Sequence, residues 1–260
     1  MARLSRILRR GSSRMLPAGW SDLLRQIVLF CGAYYFYRIV RGAVEGQTVA
    51  AYEHARQLIH IEQSMGLFFE PHVQQWADAD GWPITIANWM YVNSHFVVTT
   101  TFLAWLYVAR NRAFYFVRNM FMVAMGIALV LYLLYPTAPP RFMPEFGFTD
   151  TVAGFVGEAA ENTASLLYNP YAAVPSMHVA FALMVGIPAV KLVRHRVLKV
   201  LWALYPGIVT FVVVATGNHF WIDAALGAAV ASISAWTASV AFARVRPEAW
   251  GWLQRAKVTA

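Results

Sequence analysis

The chain has 260 residues, of which 59% are hydrophobic and 13% are charged, and its formal net charge is +8. An average soluble domain has roughly a quarter of its residues charged, so this composition excludes an ordinary water-soluble globule, a disordered chain and a coiled coil. A single cysteine, Cys31, excludes an internal disulfide and a cysteine-based metal site.

Hydropathy along the chain predicts its membrane segments. The mean hydropathy is +0.48, and a bilayer core about 30 Å thick needs about 20 apolar residues for each spanning helix. Six apolar stretches of about this length occur, so we predict an all-α, polytopic membrane protein with six transmembrane helices. The predicted spans are Leu23 to Val40, Ile84 to Val108, Phe114 to Tyr135, Val174 to Val193, Val197 to Ala215 and Phe220 to Phe242.

The remaining segments divide the chain into a membrane domain and two tails. Residues 1–20 hold five arginines and predict a basic cytoplasmic segment, followed by a six-helix membrane catalytic domain over 21–245 and a cytoplasmic tail over 246–260. Residues 45–80 mix apolar and charged positions, which is typical of short amphipathic helices that lie on the outer membrane surface. Residues 136–173 are rich in proline and glycine and predict an outer loop.

The distribution of lysine and arginine predicts which side of the membrane each connection faces. Along a six-helix path, the basic groups at both ends and in the second and fourth connections fall on one side, which the positive-inside rule assigns to the cytoplasm. We therefore predict that both termini are cytoplasmic and that the fourth and sixth spans start on the extracytoplasmic side. The expected location is a bacterial plasma (inner) membrane, with which the absence of an N-x-S/T sequon is compatible. The basic residues of the second and fourth connections are Arg110, Arg112, Arg118, Lys191, Arg194, Arg196 and Lys199, whereas Arg41, Arg56 and Arg141 fall on the opposite side together with most acidic residues.

The start of the fourth predicted span is the first candidate site. It reads Val174-Pro175-Ser176-Met177-His178, and we expect Pro175 to open the helix because proline is tolerated in a first turn. The N–H groups of Ser176, Met177 and His178, with the positive end of the helix dipole, then predict an anion site. A histidine that merely faces water at a helix start is the alternative.

The start of the sixth predicted span is the second candidate site. The stretch TGNHFWID, residues 216–223, places His219 and Asp223 four residues apart, on one face of a helix. Such a carboxylate can fix the imidazole tautomer and stabilise a charged ring. An acidic residue inside a span is a functional hypothesis by default, although a His–Asp pair that joins two helices is an alternative. A metal site is a third interpretation, but helix tips beside an arginine favour an anion.

Further residues are candidate substrate contacts. Arg141 ends the stiff stretch YPTAPPR, and an arginine on a stiff loop suits a bidentate phosphate clamp, with an anchor at the lipid headgroups as the alternative. Arg56, in the amphipathic segment, is a second candidate clamp. His95 lies on a polar stripe of the second span, and helix packing is its alternative role. The other candidate substrate contacts are Ser176, Gly217 and Asn218.

These stretches resemble the motifs of a known family. PSMH at 175–178, followed about forty residues later by GNH and Asp223, is similar to the second and third motifs of the type 2 phosphatidic acid phosphatase superfamily, P-S-G-H and a motif ending H-x-x-x-D. YPTAPPR resembles the branch that includes fungal inositol phosphorylceramide synthase. The likeness spans Tyr52 to Ala228. The resemblance to that branch also includes Ala55, Arg56, Leu58, Glu62, Gly66, Leu67 and Glu70.

The resemblance implies roles for the site residues. By resemblance, His219 is the nucleophile that takes the phosphoryl group, Asp223 orients it, and His178 protonates the leaving oxygen and then activates the acceptor. Met177 stands where the family has glycine, and Val213 where it has an arginine. We therefore expect Arg141, together with Arg56, to bind the phosphate.

Together these features predict an integral-membrane lipid phosphatase or phosphotransferase. It is expected to act on a lipid phosphate or phospho-headgroup at the extracytoplasmic leaflet through a phosphohistidine, with water or a polar alcohol as acceptor. Phosphoryl transfer depends on charge stabilisation, so we expect no metal, no other cofactor and no nucleic-acid partner. A strict phosphotransferase that makes an inositol-phosphate-type lipid, a proton-coupled lipid transporter and a non-catalytic scaffold are the alternatives. The sequence does not predict the oligomeric state.

Overall fold

The computed structural model describes residues 16–17, 19–44, 47–157 and 171–242, so most of both predicted tails lies outside the described residues. Nine helices, with short 3-10 and π turns, make up the described part of the chain, in which no β-strand occurs. This confirms the all-α prediction. The helices are α1 (Gly19–Val44), α2 (Thr48–Ser64), α3 (Glu70–Asp78), α4 (Trp82–Ala109), α5 (Asn111–Leu134), α6 (Thr151–Val156), α7 (Met177–Leu192), α8 (Arg196–Ala215) and α9 (Trp221–Trp236).

Four helices are long and apolar enough to cross a membrane, and six spans are not confirmed. The four are α4, α5, α8 and α9 with its continuation to Val240. The helix α7 is apolar but has only 16 residues. The helix α1 is 26 residues long, but its sequence contains Asp22, Arg25 and two further arginines, and it is not among the four.

The helix α7 is the centre of the helical bundle, because it contacts α4, α5, α8 and α9. Two glycines permit close approach of its neighbours. A Cβ atom added at Gly186 would lie 2.8 Å from the carbonyl oxygen of Trp202 on α8, and one added at Gly227 on α9 would lie 2.3 Å from that of Ser176. Small residues at helix interfaces let backbones come together in this way. The start of α7 and the first turns of α9 are therefore in direct contact.

The surface segment, residues 47–79, contains the short amphipathic helices α2 and α3 and covers this contact. Residues 135–150, the proline-rich loop, lie beside it and include two 3-10 turns, Pro140–Phe142 and Pro144–Phe146. The N–H of Ala138 donates to the carbonyl of Ala51, which ties the loop to α2. An apolar cluster fills the space beneath. It consists of Ala51, Ala55, Leu58, Ile59, Ala138, Met143, Phe148, Val174 and Phe220.

Candidate active site

Two histidines from different helices meet at the centre of the predicted site. His178 is the second residue of α7, and His219 lies two residues before the start of α9. The Nδ1 atom of His178 is 3.3 Å from the Nε2 atom of His219. His219 is only 4% exposed. The structure therefore brings together two of the three residues predicted to be catalytic, and His219 is shielded from bulk water.

The ring of His219 is held through its other nitrogen. Its Nδ1 atom lies 2.8 Å from the carbonyl oxygen of Ala173 and 3.5 Å from Oδ2 of Asp223. A carbonyl can only accept, so we assign the proton to Nδ1, and Nε2 is left with its lone pair facing His178. Asp223 is fully buried and also accepts a hydrogen bond from the N–H of Phe220 at 3.0 Å. It therefore fixes the backbone next to His219 as well as its ring.

Ser176 is the N-cap of α7, so the helix begins two residues later than the predicted start at Pro175. The helix begins at Met177, and the Oγ atom of Ser176 accepts from the N–H of Val179 at 3.4 Å. The expectation that Pro175 opens the helix is wrong, because serine is the better N-cap and takes that position. The N–H of Ser176 donates to the carbonyl of Asp223 at 3.0 Å. It is therefore not available to an anion, in contrast to the prediction.

His95 belongs to the same aromatic cluster as His178. The two ring centroids are 4.5 Å apart, and Tyr91 lies 4.8 Å from His178 on another side. A π-helical turn, Met90–Ser94, precedes His95 within α4, and such turns are frequent at functional sites. A narrow cavity lies beside these rings. It is lined by Met90, Tyr91, Ser94, His95, His178, Val209, Val212 and Val213.

Arg141 is buried beside the turn that carries His219. Its Nη1 atom lies 3.0 Å from Oδ1 of Asp150, and its backbone N–H donates to the carbonyl of Gly217 at 2.7 Å. Gly217 has φ = +64°, and a Cβ there would lie 3.3 Å from that of Arg141. Only glycine fits this left-handed position without strain. The Nδ2 atom of Asn218 donates to Oγ1 of Thr216 at 2.8 Å, so this amide holds the turn itself.

Arg56 has a different setting from the other candidate residues. It pairs with Glu145 at 3.2 Å, and the two side chains are 47% and 44% exposed. Exposed ion pairs of this kind contribute little to stability. Its position on the surface segment contrasts with the buried setting of Arg141.

Several residues of the site were missed as functional residues by the sequence analysis. Glu62 and Glu70 were noted only as positions of resemblance, because charged residues in an amphipathic segment usually face water, yet both are fully buried here. Gln74 and Asp150 were missed, since a lone polar residue near a loop has no signature of its own. The carbonyl of Ala173 is a backbone group, so residue type carries no signal for it.

The arrangement can support transfer of a group to nitrogen followed by transfer to a second acceptor. A neutral imidazole with a free Nε2 is a nucleophile, and a second imidazole within 3.3 Å can carry protons. Within the described ranges, no group of three or more His, Cys, Asp or Glu side chains is arranged to hold a metal ion.

The range matched by a known family includes the candidate catalytic residues. A family model described as PAP2 superfamily matches residues 56–237, a range that includes His178, His219 and Asp223. Searches of curated proteins and of solved structures give no match. The resemblance to the inositol phosphorylceramide synthase branch is not confirmed. Because the match covers more than half of the chain, the protein belongs to the PAP2 superfamily.

Proposed function

We propose that this protein is an integral-membrane lipid phosphatase or phosphotransferase that works through a phosphohistidine at His219. Membership of the PAP2 superfamily indicates phosphatase or phosphotransferase chemistry on lipid phosphates in a membrane protein. The observation that carries the proposal is the pairing of His178 with Nε2 of His219, while Nδ1 of His219 is held by the carbonyl of Ala173.

The first displacement uses the two histidines in different roles. The Nε2 lone pair of His219 attacks the phosphorus of the substrate, and the bond from phosphorus to the leaving oxygen breaks. His178 gives its proton to that oxygen. The phosphorus then takes the lone pair of Nε2 that faces Nδ1 of His178, so the His178 ring must move out of its 3.3 Å contact to make room for the phosphate. The positive charge that develops on His219 is stabilised by Asp223 and by the carbonyl of Ala173.

The second displacement regenerates the enzyme. His178, now neutral, takes a proton from water or an alcohol, whose oxygen attacks the phosphorus and breaks the bond to Nε2. From a lipid phosphate, water gives inorganic phosphate and an alcohol gives a new phosphomonoester. From a lipid phosphodiester, water gives a phosphomonoester and an alcohol gives a new phosphodiester. A strict phosphotransferase that makes an inositol-phosphate-type lipid is the narrower version of this proposal, and it rests on the resemblance of YPTAPPR and of the stretch from Ala55 to Glu70.

Charge stabilisation of the phosphate is assigned to Arg141 and to the start of α7. Val213 stands where the family has an arginine, so another cation is needed. Arg141 supplies a buried guanidinium on the neighbouring loop, and its backbone is bonded to Gly217, two residues before the nucleophile. The N–H groups of Met177 and His178 are the remaining candidates from the predicted anion site.

We place the site at the extracytoplasmic leaflet of a bacterial plasma membrane. The support is the charge distribution: the connection between α7 and α8, with Lys191, Arg194 and Arg196, lies at the opposite end of α7 from His178. A lipid substrate can then reach the histidines with its tails in the bilayer and its phosphate near the start of α7.

Replacing the nucleophile tests the proposal. Purified protein is offered phosphatidic acid, polyprenyl diphosphate and phosphatidylinositol, with and without chelator, and products are identified by mass spectrometry. His219→Ala should lower turnover by about a thousandfold or more, whereas His195→Ala, which changes an exposed histidine before α8, should leave it unchanged. Full activity of His219→Ala overturns the proposal. Loss of activity with chelator overturns metal independence, and the products distinguish water from an alcohol as acceptor.

A further inference from the structure

The backbone at the start of α9 is held by three buried carboxylates. The first N–H groups of a helix have no acceptor within the helix, so a carboxylate there is favourable. One carboxylate, that of Asp223, belongs to α9, but the other two come from the surface segment. The three hydrogen bonds run from the N–H of Phe220 to Asp223 at 3.0 Å, from that of Trp221 to Glu70 at 3.1 Å and from that of Ile222 to Glu62 at 3.2 Å.

The two glutamates of the surface segment differ in how their oxygens are satisfied. Both oxygens of Glu70 accept N–H groups, Oε1 from Trp221 and Oε2 from Phe69. Glu62 uses Oε1 for Ile222, while its buried Oε2 atom receives no hydrogen bond from any described donor. The Glu70 side chain lies within hydrogen-bonding reach of Glu62. A proton on Oε2 of Glu62 would complete this arrangement by bonding to Glu70.

Electrostatics favours the same distribution of the proton. Both side chains are fully buried, and two carboxylates in contact away from water cannot both be ionised at low cost. Desolvation, followed by the effect of Glu70, raises the pKa of Glu62 to about 9. The negative charge is more stable on Glu70 than on Glu62, because Glu70 accepts from two backbone N–H groups and Glu62 from one.

The pair lies next to the proposed nucleophile. Trp221 and Ile222 follow His219 by two and three residues, and their N–H groups are the ones that the glutamates hold. The same surface segment approaches the other side of His219, where a Cβ at Gly217 would lie 2.9 Å from Nε2 of Gln74. The surface segment therefore contacts the backbone both before His219, at Gly217, and after it, at Trp221 and Ile222.

We infer that Glu62 and Glu70 form a carboxylic acid–carboxylate pair, with Glu62 neutral and Glu70 ionised, that positions His219 for phosphoryl transfer. The inference rests on the proposed role of His219. Neither glutamate contacts the reacting atoms, so both are positioning residues. A shift of about an ångström in a nucleophile can lower turnover by about a hundredfold.

The inference predicts that two equivalent substitutions have unequal effects. In Glu62→Gln, an N–H replaces the proposed O–H and the amide oxygen still accepts from Ile222, so the pair keeps its geometry. In Glu70→Gln, an NH₂ group must face an N–H donor, which breaks one of the two backbone bonds. The two backbone bonds of Glu70 give this asymmetry with or without a shared proton, so the kinetics test the positioning role and the infrared spectra test the proton on Glu62. Glu53→Gln, an exposed change on the same helix as Glu62, is the matched control.

The experiment measures kcat and KM of the full chain in lipid nanodiscs, and infrared difference spectra at neutral pH. We expect kcat of Glu62→Gln within about twofold of wild type and kcat of Glu70→Gln about tenfold or more lower, with KM little changed. The spectrum of wild type minus Glu62→Gln should contain the C=O band of a protonated carboxylic acid, which the Glu53→Gln difference should lack.

Equal losses in the two variants, or absence of that band, overturn the inference. If Glu70→Gln does not fold, the infrared comparison of wild type with Glu62→Gln still decides. Failure of the inference is distinguishable from failure of the proposed function. If His219→Ala is inactive while both glutamine variants are fully active, only the positioning pair is wrong, whereas an active His219→Ala overturns the role of His219 itself.

Discussion

Gly227 sets the distance between the two helices that carry the candidate nucleophile and its partner. A Cβ at this position would lie 2.3 Å from the carbonyl oxygen of Ser176, so Gly227→Ala must push α9 away from the cap of α7. We expect the free energy of unfolding to fall by about 1 to 3 kcal/mol, together with a loss of activity. Gly126→Ala, on α5 with open space around the added atom, should cost no stability. Equal melting temperatures of the two variants in detergent would contradict this prediction.

Glu62 should make stability depend on pH. Its pKa is raised from 4.5 to about 9 in the folded protein, so the folded state keeps a proton that the unfolded chain releases above its ordinary pKa. The free energy of unfolding should therefore fall as pH rises from about 4.5 to about 9, by up to about 1.4 kcal/mol per pH unit, and then level off.

Unfolding curves recorded across this pH range check the prediction. Glu62→Gln should show a shallower fall in the free energy of unfolding than wild type, because it has no proton to release. Glu53→Gln, at an exposed position of α2, should keep the wild-type slope. Identical slopes in all three proteins would exclude a raised pKa for Glu62.

At the level of elements, Gln74 joins α3 to the proline-rich loop. Its Nε2 atom donates to the carbonyl of Thr149 at 3.0 Å, and its Oε1 atom accepts from the N–H of the same residue at 2.9 Å. Gln74→Glu keeps the size but replaces the donor by an oxygen, and we expect a loss of about 1 to 3 kcal/mol in the free energy of unfolding. Gln75→Glu, one residue later and exposed, should leave the melting temperature unchanged. A comparable loss in both variants would refute the role of the Thr149 contact.

Hydropathy predicted the apolar helices better than it predicted their ends. The stretches at α4, α5, α8 and α9 are long and apolar, and burial in lipid demands a helix there. The end of α7 near the site depends on the cap by Ser176, which competes with Pro175 for the first turn. The π turn before His95 changes only the hydrogen-bond register, so composition does not signal it.

The candidate site was predictable where side chains carry the chemistry. His178, His219 and Asp223 come together because their helices start at the same place. The carbonyl of Ala173 and the burial of Glu62 depend on how distant segments pack, and spacing along the chain contains no information about that contact.

For the molecule as a whole, orientation in the membrane is the property to test. In a Cys31→Ser background, Glu145→Cys and Lys199→Cys each place one exposed thiol at opposite ends of the bundle. The positive-inside rule predicts that a membrane-impermeant maleimide labels Glu145→Cys on intact cells and labels Lys199→Cys only after permeabilisation. The reverse pattern would place the histidines on the cytoplasmic side.

The shortness of α7 has a consequence for the surrounding bilayer. Sixteen residues rise about 24 Å, which is about 6 Å less than the hydrocarbon thickness. On the proposed topology, in which α7 crosses the bilayer, the exposed Lys191 and Arg194 keep one end in water, so the deficit falls at the end with His178. On that topology a substrate lipid moves deeper into the bilayer to reach the histidines, or the adjacent monolayer becomes thinner around them. We expect the acyl-chain length of bulk lipids to influence turnover without contacting any residue of the site.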